Sequence, residues 1–172
     1  MFKIVGLLLV VCGCTAMGLS AGNEMERRIR ELRELLKLLE ILEGEIGYAN
    51  AALAEAFCHG ARRMAEPFSG FLEHMAEHMD EFRGDTLGEI FMRHVQEDLK
   101  GTALCRKDLD ALTGFGEQLG YLDVKMQLAA IGLYKEQLTH EYVRAREECR
   151  KNSKLYRCLG LMGGLFLALI FF

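Results

Sequence analysis

The chain has 172 residues and a formal net charge of -4, with 51% hydrophobic and 27% charged residues. This length suits one domain with its own core, and an acidic chain without interleaved basic and aromatic residues does not fit a nucleic-acid-binding protein. Because the sequence has no Walker loop, no G-x-S-x-G element and no dinucleotide fingerprint, it indicates no enzyme, no cofactor and no metal centre.

Both ends of the chain are uncharged over long stretches, namely residues 4–23 and residues 158–172. About 20 apolar residues in a helix span about 30 Å, the thickness of the hydrocarbon core of a bilayer. A buried hairpin of two core helices fits less well, because residues 161–172 have no polar face. The sequence therefore predicts transmembrane helices over 4–23 and 158–172 and a soluble domain over 24–157.

The first apolar stretch contains Cys14, for which three roles can be considered. A Cys-x-Cys metal pair with Cys12 is disfavoured, because the two thiols would lie roughly 200° apart on a helix. Lipidation of Cys14, after the small residue Gly13, stays open and would make the chain an exported lipoprotein. Otherwise Cys14 is a small residue inside a membrane helix. Close helix packing is predicted for the glycines spaced four apart in the two spans: Gly18, Gly22, Gly160 and Gly164.

Between the two ends, apolar residues recur at helical spacing and predict about six helices and no strand. The first helix carries an apolar stripe from Met25 to Ile46, broken at Glu43, which we expect at the edge of the stripe. A second helix is predicted over 48–63, and Pro67 suits the first turn of a third. The fold class expected is all-α, a compact bundle between the two transmembrane helices.

Local signals predict the boundaries of the remaining helices. Asp85 is expected to cap a fourth helix, and Gly101 with Thr102 to repeat this stop-and-cap signal at the start of a fifth. Three glycines at 114, 116 and 120 predict a tight turn at FGEQLG, residues 115–120. Asp123 is then expected to cap a long sixth helix that continues into the second span.

Charge along the chain predicts an orientation. A basic cluster follows the first span between Arg27 and Lys37, and a second precedes the last span between Arg144 and Arg157. Positive residues close to a span favour the cytoplasmic side, so the soluble domain is expected in the cytoplasm. Residues 40–123 hold 17 acidic against 7 basic residues, and an acidic domain with basic ends is typical of a domain that faces an anionic membrane leaflet.

One pattern offers an enzymatic alternative. Residues 74–78 read H-x-x-E-H, in which His74 and His78 share a helix face and could bind zinc while Glu77 acts as general base. The simpler interpretation buries Met75, Met79 and Phe82 and leaves the polar residues in water. No later segment is marked as the source of a third ligand, and His59, His94 and His140 have no partner in the sequence.

Four motifs in order carry a family resemblance. They are Gly13-Cys14-Thr15 with Gly18, LEGEIGYANAALAEA over 42–56, FGEQLG with Asp123 and Gln127, and SKLYRCLGLMGGL over 153–165. Together they resemble the stage III sporulation protein AB family of endospore-forming bacteria along nearly the full chain. Two departures are Ala52, where the family usually has proline, and the atypical Cys12.

The resemblance implies a role in the multiprotein channel between mother cell and forespore. The family's soluble domain is similar to the cytoplasmic domains of the type II secretion platform protein, a compact six-helix bundle. The resemblance thus implies a non-enzymatic scaffold in the mother-cell membrane around the forespore. This scaffold would dock a cytoplasmic ATPase to the membrane subunits. The sequence leaves open whether the motif residues contact a partner or stabilise the fold. They are Glu43, Glu45, Tyr48, Phe115, Gly116, Glu117, Gly120, Asp123 and Gln127.

Overall fold

The computed structural model of the chain describes the backbone of residues 2–80, 84–120 and 123–171, and the side chains of residues 20, 22–79, 84–120 and 123–151. Within these ranges the chain forms six α-helices and no strand, which confirms the predicted all-α class. The helices are α1 (Phe2–Gly47), α2 (Leu53–Ala61), α3 (Phe68–Asp80), α4 (Leu87–Asp98), α5 (Arg106–Leu119) and α6 (Val124–Phe171).

The predicted transmembrane helices lie on the two long helices of the chain. In the part whose side chains are described, no helical segment combines the length and apolarity needed to cross a membrane. The stretches 4–23 and 158–172 fall almost entirely outside that part, as do Cys14, Gly18, Gly160 and Gly164. The two spans and the lipidation of Cys14 therefore stay predictions.

The chain divides into two compact units, to both of which α1 and α6 contribute. One consists of Met1–Ile29 with Val143–Phe172, and the other of Arg30–Tyr142. In the first unit Ala145 and Cys149 of α6 are buried. The second unit lies within the predicted soluble domain and contains helices α2 to α5 together with the adjoining parts of α1 and α6.

The apolar stripe of α1 lies in the core of the second unit. Leu32, Leu35, Leu39 and Leu42 are each at most 1% exposed. Glu43, which interrupts the stripe, lies at its edge as predicted, because its carboxylate pairs with Lys135 Nζ of α6 at 2.9 Å. The ion pair forms where α1 and α6 contact each other. The helical period of the sequence therefore predicted the α1 residue of this contact but not its partner on α6.

The core of the second unit is organised around the ring of Phe91 on α4. Its centroid lies 5.3 Å from that of Phe71 on α3, 6.4 Å from Phe57 on α2 and 6.5 Å from Phe115 on α5. Phe115 in turn stacks on Tyr134 of α6, with 4.7 Å between the ring centroids. One aromatic cluster thus joins five helices, because each ring buries a large apolar area and finds another ring within favourable range.

Several predicted helix ends are wrong by a few residues. The cap of α4 is Thr86 and not Asp85: the Glu89 backbone N–H donates to Thr86 Oγ1, and Glu89 Oε2 accepts from the Thr86 backbone N–H at 2.8 Å. This reciprocal capping box satisfies two free backbone donors at once, whereas Asp85 pairs with Arg93. Thr102 does not begin α5; its hydroxyl donates to the Leu99 carbonyl at the end of α4.

The predicted second helix is also too long, because residues 48–52 form a loop. Asn50 has a φ of 51°, in the left-handed region that asparagine tolerates better than most residues. The Ala51 backbone N–H donates to the Glu45 carbonyl at 3.0 Å. These features end α1 at Gly47 and delay the start of α2 to Leu53.

The predicted tight turn at FGEQLG is wrong, since all but its last residue belongs to α5. Glycine at 116 serves helix packing instead: a Cβ atom there would lie 2.1 Å from Cγ of Phe91. A Cβ at Gly120 would lie 2.8 Å from Cβ of Leu87, and one at Gly88 would lie 3.0 Å from Cγ of Glu117. The glycines therefore allow α4 and α5 to approach closely, and Gly116 leaves the space in which the Phe91 ring packs.

Candidate functional site

Two side chains that follow the FGEQLG motif stabilise the junction of α5 and α6. Asp123 caps α6 as predicted, with its Oδ1 accepting from the Met126 backbone N–H at 2.8 Å. Gln127 Nε2 donates to the Leu119 carbonyl at 3.2 Å, which satisfies an acceptor at the last turn of α5. Asp123 and Gln127 therefore have structural roles here, as do the buried Phe115 and Gly116.

Glu45 fixes the loop before α2 and α2 itself. Its carboxylate is 2.7 Å from His59 Nδ1 and 3.1 Å from Arg63 Nη1, although the residue is only 8% exposed. The hydrogen bond with His59 is the main reason why the pKa of Glu45 lies below its ordinary value. Because its carbonyl also accepts from Ala51, Glu45 holds α2 against α1.

Tyr48 differs from the other motif residues, because it is 91% exposed. It lies in the loop between α1 and α2, directly after the last residue of α1. Glu117, Gly120 and Asp123 are also exposed, but each of them contacts a neighbouring helix or caps one. Among the motif residues, Tyr48 is therefore the aromatic side chain best placed to contact a partner.

An open groove with a volume of about 610 Å³ runs between α2 and α3, next to the loop that carries Tyr48. The small side chains that line it include Ala54, Cys58 and Ala61 of α2 and Ala76 of α3. The groove exists because these residues leave space on one side of the helix pair. On another side the helices are in close contact, where a Cβ at Gly60 would lie 3.2 Å from the Leu72 side chain.

Charged side chains line the edges of this groove. Three are carboxylates, Glu55 of α2 with Glu73 and Glu77 of α3, and one is the guanidinium of Arg62. A surface with an apolar floor and an acidic border suits a helix or extended segment that carries small apolar side chains flanked by lysine or arginine. The groove is thus a candidate docking site for a basic protein segment.

A second cluster of polar side chains joins α3 to α4. His74 Nδ1 lies 3.1 Å from Asp98 Oδ2, and His94 Nδ1 lies 2.9 Å from the same oxygen. The hydrogen bond with Asp98 is the main reason why the pKa of His74 is raised. His94 Nε2 also lies 3.1 Å from His78 Nδ1, so four side chains form one connected group.

This cluster changes the prediction made from the H-x-x-E-H pattern. In the part of the chain that the structure describes, the side chains that bring three ligand atoms within 4.8 Å of one another are those of His74, His94 and Asp98. Glu77 instead lines the groove towards α2. The sequence interpretation missed His94 and Asp98, whose only signal was their spacing of four residues along one helix.

In the described part of the chain, these features define a small helical protein with an open groove between α2 and α3 and two long helices, of which α1 begins and α6 ends in uncharged sequence. The sequence model described as stage III sporulation protein AB matches residues 3–172, and the chain belongs to that family. It is 27% identical over 170 residues to the stage III sporulation protein AB of Bacillus subtilis (strain 168), an alignment that covers 99% of each chain.

The fold is similar to that of a solved structure of a stage III sporulation protein AB. The TM-score is 0.65 at 25% sequence identity, and the match covers 72% of this chain and 96% of that one. The family resemblance seen in the sequence motifs is therefore confirmed, together with the helical bundle that it implied.

Proposed function

We propose that this protein is a non-enzymatic, membrane-anchored scaffold of the channel complex between mother cell and forespore. Its soluble domain faces the mother-cell cytoplasm and docks a cytoplasmic ATPase to the membrane subunits of that complex. Membership of a sporulation protein family over residues 3–172 supports this role. The uncharged stretches at both ends support the anchoring, and the basic clusters that adjoin them support the orientation.

The observation that carries the docking step is the groove between α2 and α3. Its carboxylates at Glu55, Glu73 and Glu77 outnumber the single guanidinium of Arg62, so the surface attracts a basic segment of the ATPase. Charge complementarity of this kind raises the association rate and selects the partner, while the apolar floor supplies contact area. Tyr48, exposed in the loop that precedes α2, is in a position to add an aromatic contact.

Contacts with the membrane subunits are assigned to the two predicted spans. Of their four spaced glycines, Gly22 is the one whose surroundings are described, and a Cβ there would meet no atom of the described chain within 4 Å. Gly22 therefore offers a small-residue position at which a helix of another subunit is proposed to pack. Contact between Gly22 and a small residue of the other subunit would let the two transmembrane helices approach closely.

The docking step can be tested by reversing the charge of the groove. We expect the double substitution Glu73→Arg and Glu77→Arg to reduce the amount of ATPase that co-purifies with the full-length protein by about tenfold or more, because the reversal places like charges opposite a basic segment. Glu136→Arg, at an exposed position on α6, is the matched control and should leave co-purification unchanged. Equal binding by the two variants would contradict docking in the groove.

A second readout uses the cysteines. Cys58 lines the groove and is partly exposed, whereas Cys105 is exposed at the start of α5. Bound ATPase should protect Cys58 from a thiol-reactive label and leave the labelling of Cys105 unchanged. Protection of both cysteines, or of neither, would place the contact elsewhere.

Orientation needs a separate test, for which Cys105 is the best reporter because its thiol is exposed and Cys149 is buried. An impermeant thiol reagent added to intact cells should label Cys105 only after lysis. Labelling before lysis would reverse the proposed topology and support export of the domain. Mass analysis of the same preparation checks for a lipid on Cys14, which a membrane helix at 4–23 does not require.

A further inference from the structure

We propose that His74, His94 and Asp98 bind one divalent transition-metal ion, zinc in the first place, which links α3 to α4. The inference rests on the geometry of these side chains and does not depend on the proposed scaffold function. It replaces the expectation from the sequence that the chain holds no metal, and it differs from the H-x-x-E-H hypothesis in two of the three residues involved.

The distances between the ligand atoms fit a small coordination sphere. Asp98 Oδ2 lies 2.9 Å from His94 Nδ1 and 3.1 Å from His74 Nδ1. In a tetrahedral zinc site with bonds of about 2.0 Å, ligand atoms are about 3.3 Å apart. All three ligand atoms lie within 4.8 Å of one another, so side-chain adjustments can bring them around one ion.

The helices hold these ligands in place before any ion binds. His94 and Asp98 are four residues apart on α4, so both side chains lie on the same face of that helix. His74 approaches from α3, which packs directly on α4 in the second unit. Two histidines and one carboxylate are a ligand set that suits zinc and related metals.

The site is also accessible from solvent on one side. The side chain of His94 is 5% exposed and that of Asp98 is 18% exposed, whereas that of His74 is 50% exposed. An ion can therefore enter past His74 and keep a water molecule as its fourth ligand. The buried side of the site fixes the orientation of His94.

His78 provides the outer contact that a zinc-bound histidine usually has. When His94 binds the metal through Nδ1, its proton lies on Nε2, which is 3.1 Å from His78 Nδ1. His94 then donates to His78, whose Nδ1 must be unprotonated and gives up the hydrogen bond that it can donate to the His74 carbonyl at 3.1 Å. The new hydrogen bond fixes the tautomer and the ring orientation of His94 that metal binding requires. Without an ion, the same two Nδ1 atoms donate to Asp98, so a purely hydrogen-bonded cluster is the competing interpretation.

The test uses the full-length protein in detergent, first stripped of metal with a chelator and then titrated with zinc. We expect one zinc ion per chain, and a rise of about 5–10 °C in Tm when free zinc is a hundredfold above Kd. Cobalt(II) as a probe should give the absorption spectrum of a tetrahedral site with nitrogen and oxygen ligands. A thiolate charge-transfer band would instead assign the ion to the cysteines and overturn the proposal.

The variants separate a metal site from a hydrogen-bonded cluster. His74→Gln and Asp98→Asn should each lower zinc affinity by about a hundredfold or more, and His78→Gln by about ten- to a hundredfold. His59→Gln and His140→Gln, which change histidines on α2 and α6, are matched controls and should bind zinc like the wild type. Because His74 is half exposed, its variant can fold even where substitution of the buried His94 is disruptive. The proposal fails if the wild type takes up no stoichiometric zinc, or if His74→Gln and Asp98→Asn bind it unchanged.

Discussion

The helix pairs α4–α5 and α2–α3 both carry small residues where their helices face each other, yet the result differs. In the first pair, the Phe91 ring occupies the place that a side chain at Gly116 would need. In the second pair, Ala54, Cys58 and Ala76 leave an open groove. Small residues alone therefore do not determine whether the space beside them is filled; a large side chain on the facing helix, such as Phe91, decides it.

This difference also separates a surface that is buried within the fold from the proposed docking surface. The α4–α5 contact contains the FGEQLG motif. This motif was a candidate for contact with a partner, but its Phe115 and Gly116 pack in the protein's own core. The α2–α3 groove has charged edges and space for another chain. Substitutions that fill space should accordingly destabilise the first pair and block binding at the second.

The largest effect is expected for Gly116→Ala. The new Cβ would lie 2.1 Å from Cγ of the buried Phe91, so the ring or the helix must shift. We expect a loss of about 3 kcal/mol in the free energy of unfolding, at the upper end of the range for overpacked cores. Chemical unfolding of the full-length protein in detergent measures it.

Gly114→Ala on the same helix is the matched control. A Cβ at Gly114 would meet no described atom within 4 Å, so the substitution should stabilise α5 by about 0.5–1 kcal/mol. Combining Gly116→Ala with Phe91→Leu should cost less than the sum of the single changes, because the smaller side chain relieves the clash. Full additivity would contradict the packing explanation.

The next effect concerns how α2 is held beside its groove. The hydrogen bond with His59 lowers the pKa of Glu45 from its ordinary value of 4.5. A carboxylate with a lowered pKa in the folded state stabilises the fold above its unfolded pKa, and this contribution is lost as pH falls through the folded pKa. Glu45→Gln should therefore be less stable than the wild type near neutral pH, and the difference should shrink below pH 4.5.

Unfolding midpoints measured from neutral to acidic pH test this expectation. His59→Gln removes the same hydrogen bond from the other side, so its effect should overlap with that of Glu45→Gln in a double-mutant cycle. A constant difference between wild type and Glu45→Gln at all pH values would show that the carboxylate does not stabilise α2 in this way.

A smaller gain in stability is expected for Ala52→Pro. Ala52 precedes α2 with φ at -63°, a value that proline adopts without strain. The substitution should raise the free energy of unfolding by about 0.4–1 kcal/mol, because it restricts the unfolded chain. Ala51→Pro is the control and should destabilise the protein, since the Ala51 backbone N–H donates to the Glu45 carbonyl. Similar effects at both positions would contradict this account of the loop.

The smallest effect on stability is expected for Ala54→Leu, which fills the groove. Because the side chain points into open space between α2 and α3, the free energy of unfolding should change by less than about 0.5 kcal/mol. Co-purification of the ATPase should nevertheless fall strongly. For Gly116→Ala, in contrast, the main expected effect is on the free energy of unfolding. Unchanged ATPase binding would show that the groove is not the docking surface.

The sequence predicted the features that depend on neighbours along the chain. Helical spacing indicated six helices and no strand, and it placed Glu43 at the edge of the α1 stripe. Asp123 was correctly predicted as a cap because its partner, the Met126 backbone N–H, is three residues away. The order of the motifs indicated the family that the comparisons confirm.

What the sequence by itself determined is thus the helical class, the family and the two uncharged ends, because periodicity and composition act over short distances along the chain. Only the tertiary structure decided that Gly116 accommodates Phe91, that His94 and Asp98 join His74, and that α2 and α3 leave a groove. Each of these depends on side chains from two different helices. Glycine predicts both turns and close packing, and the choice between them is made by the residue that packs opposite.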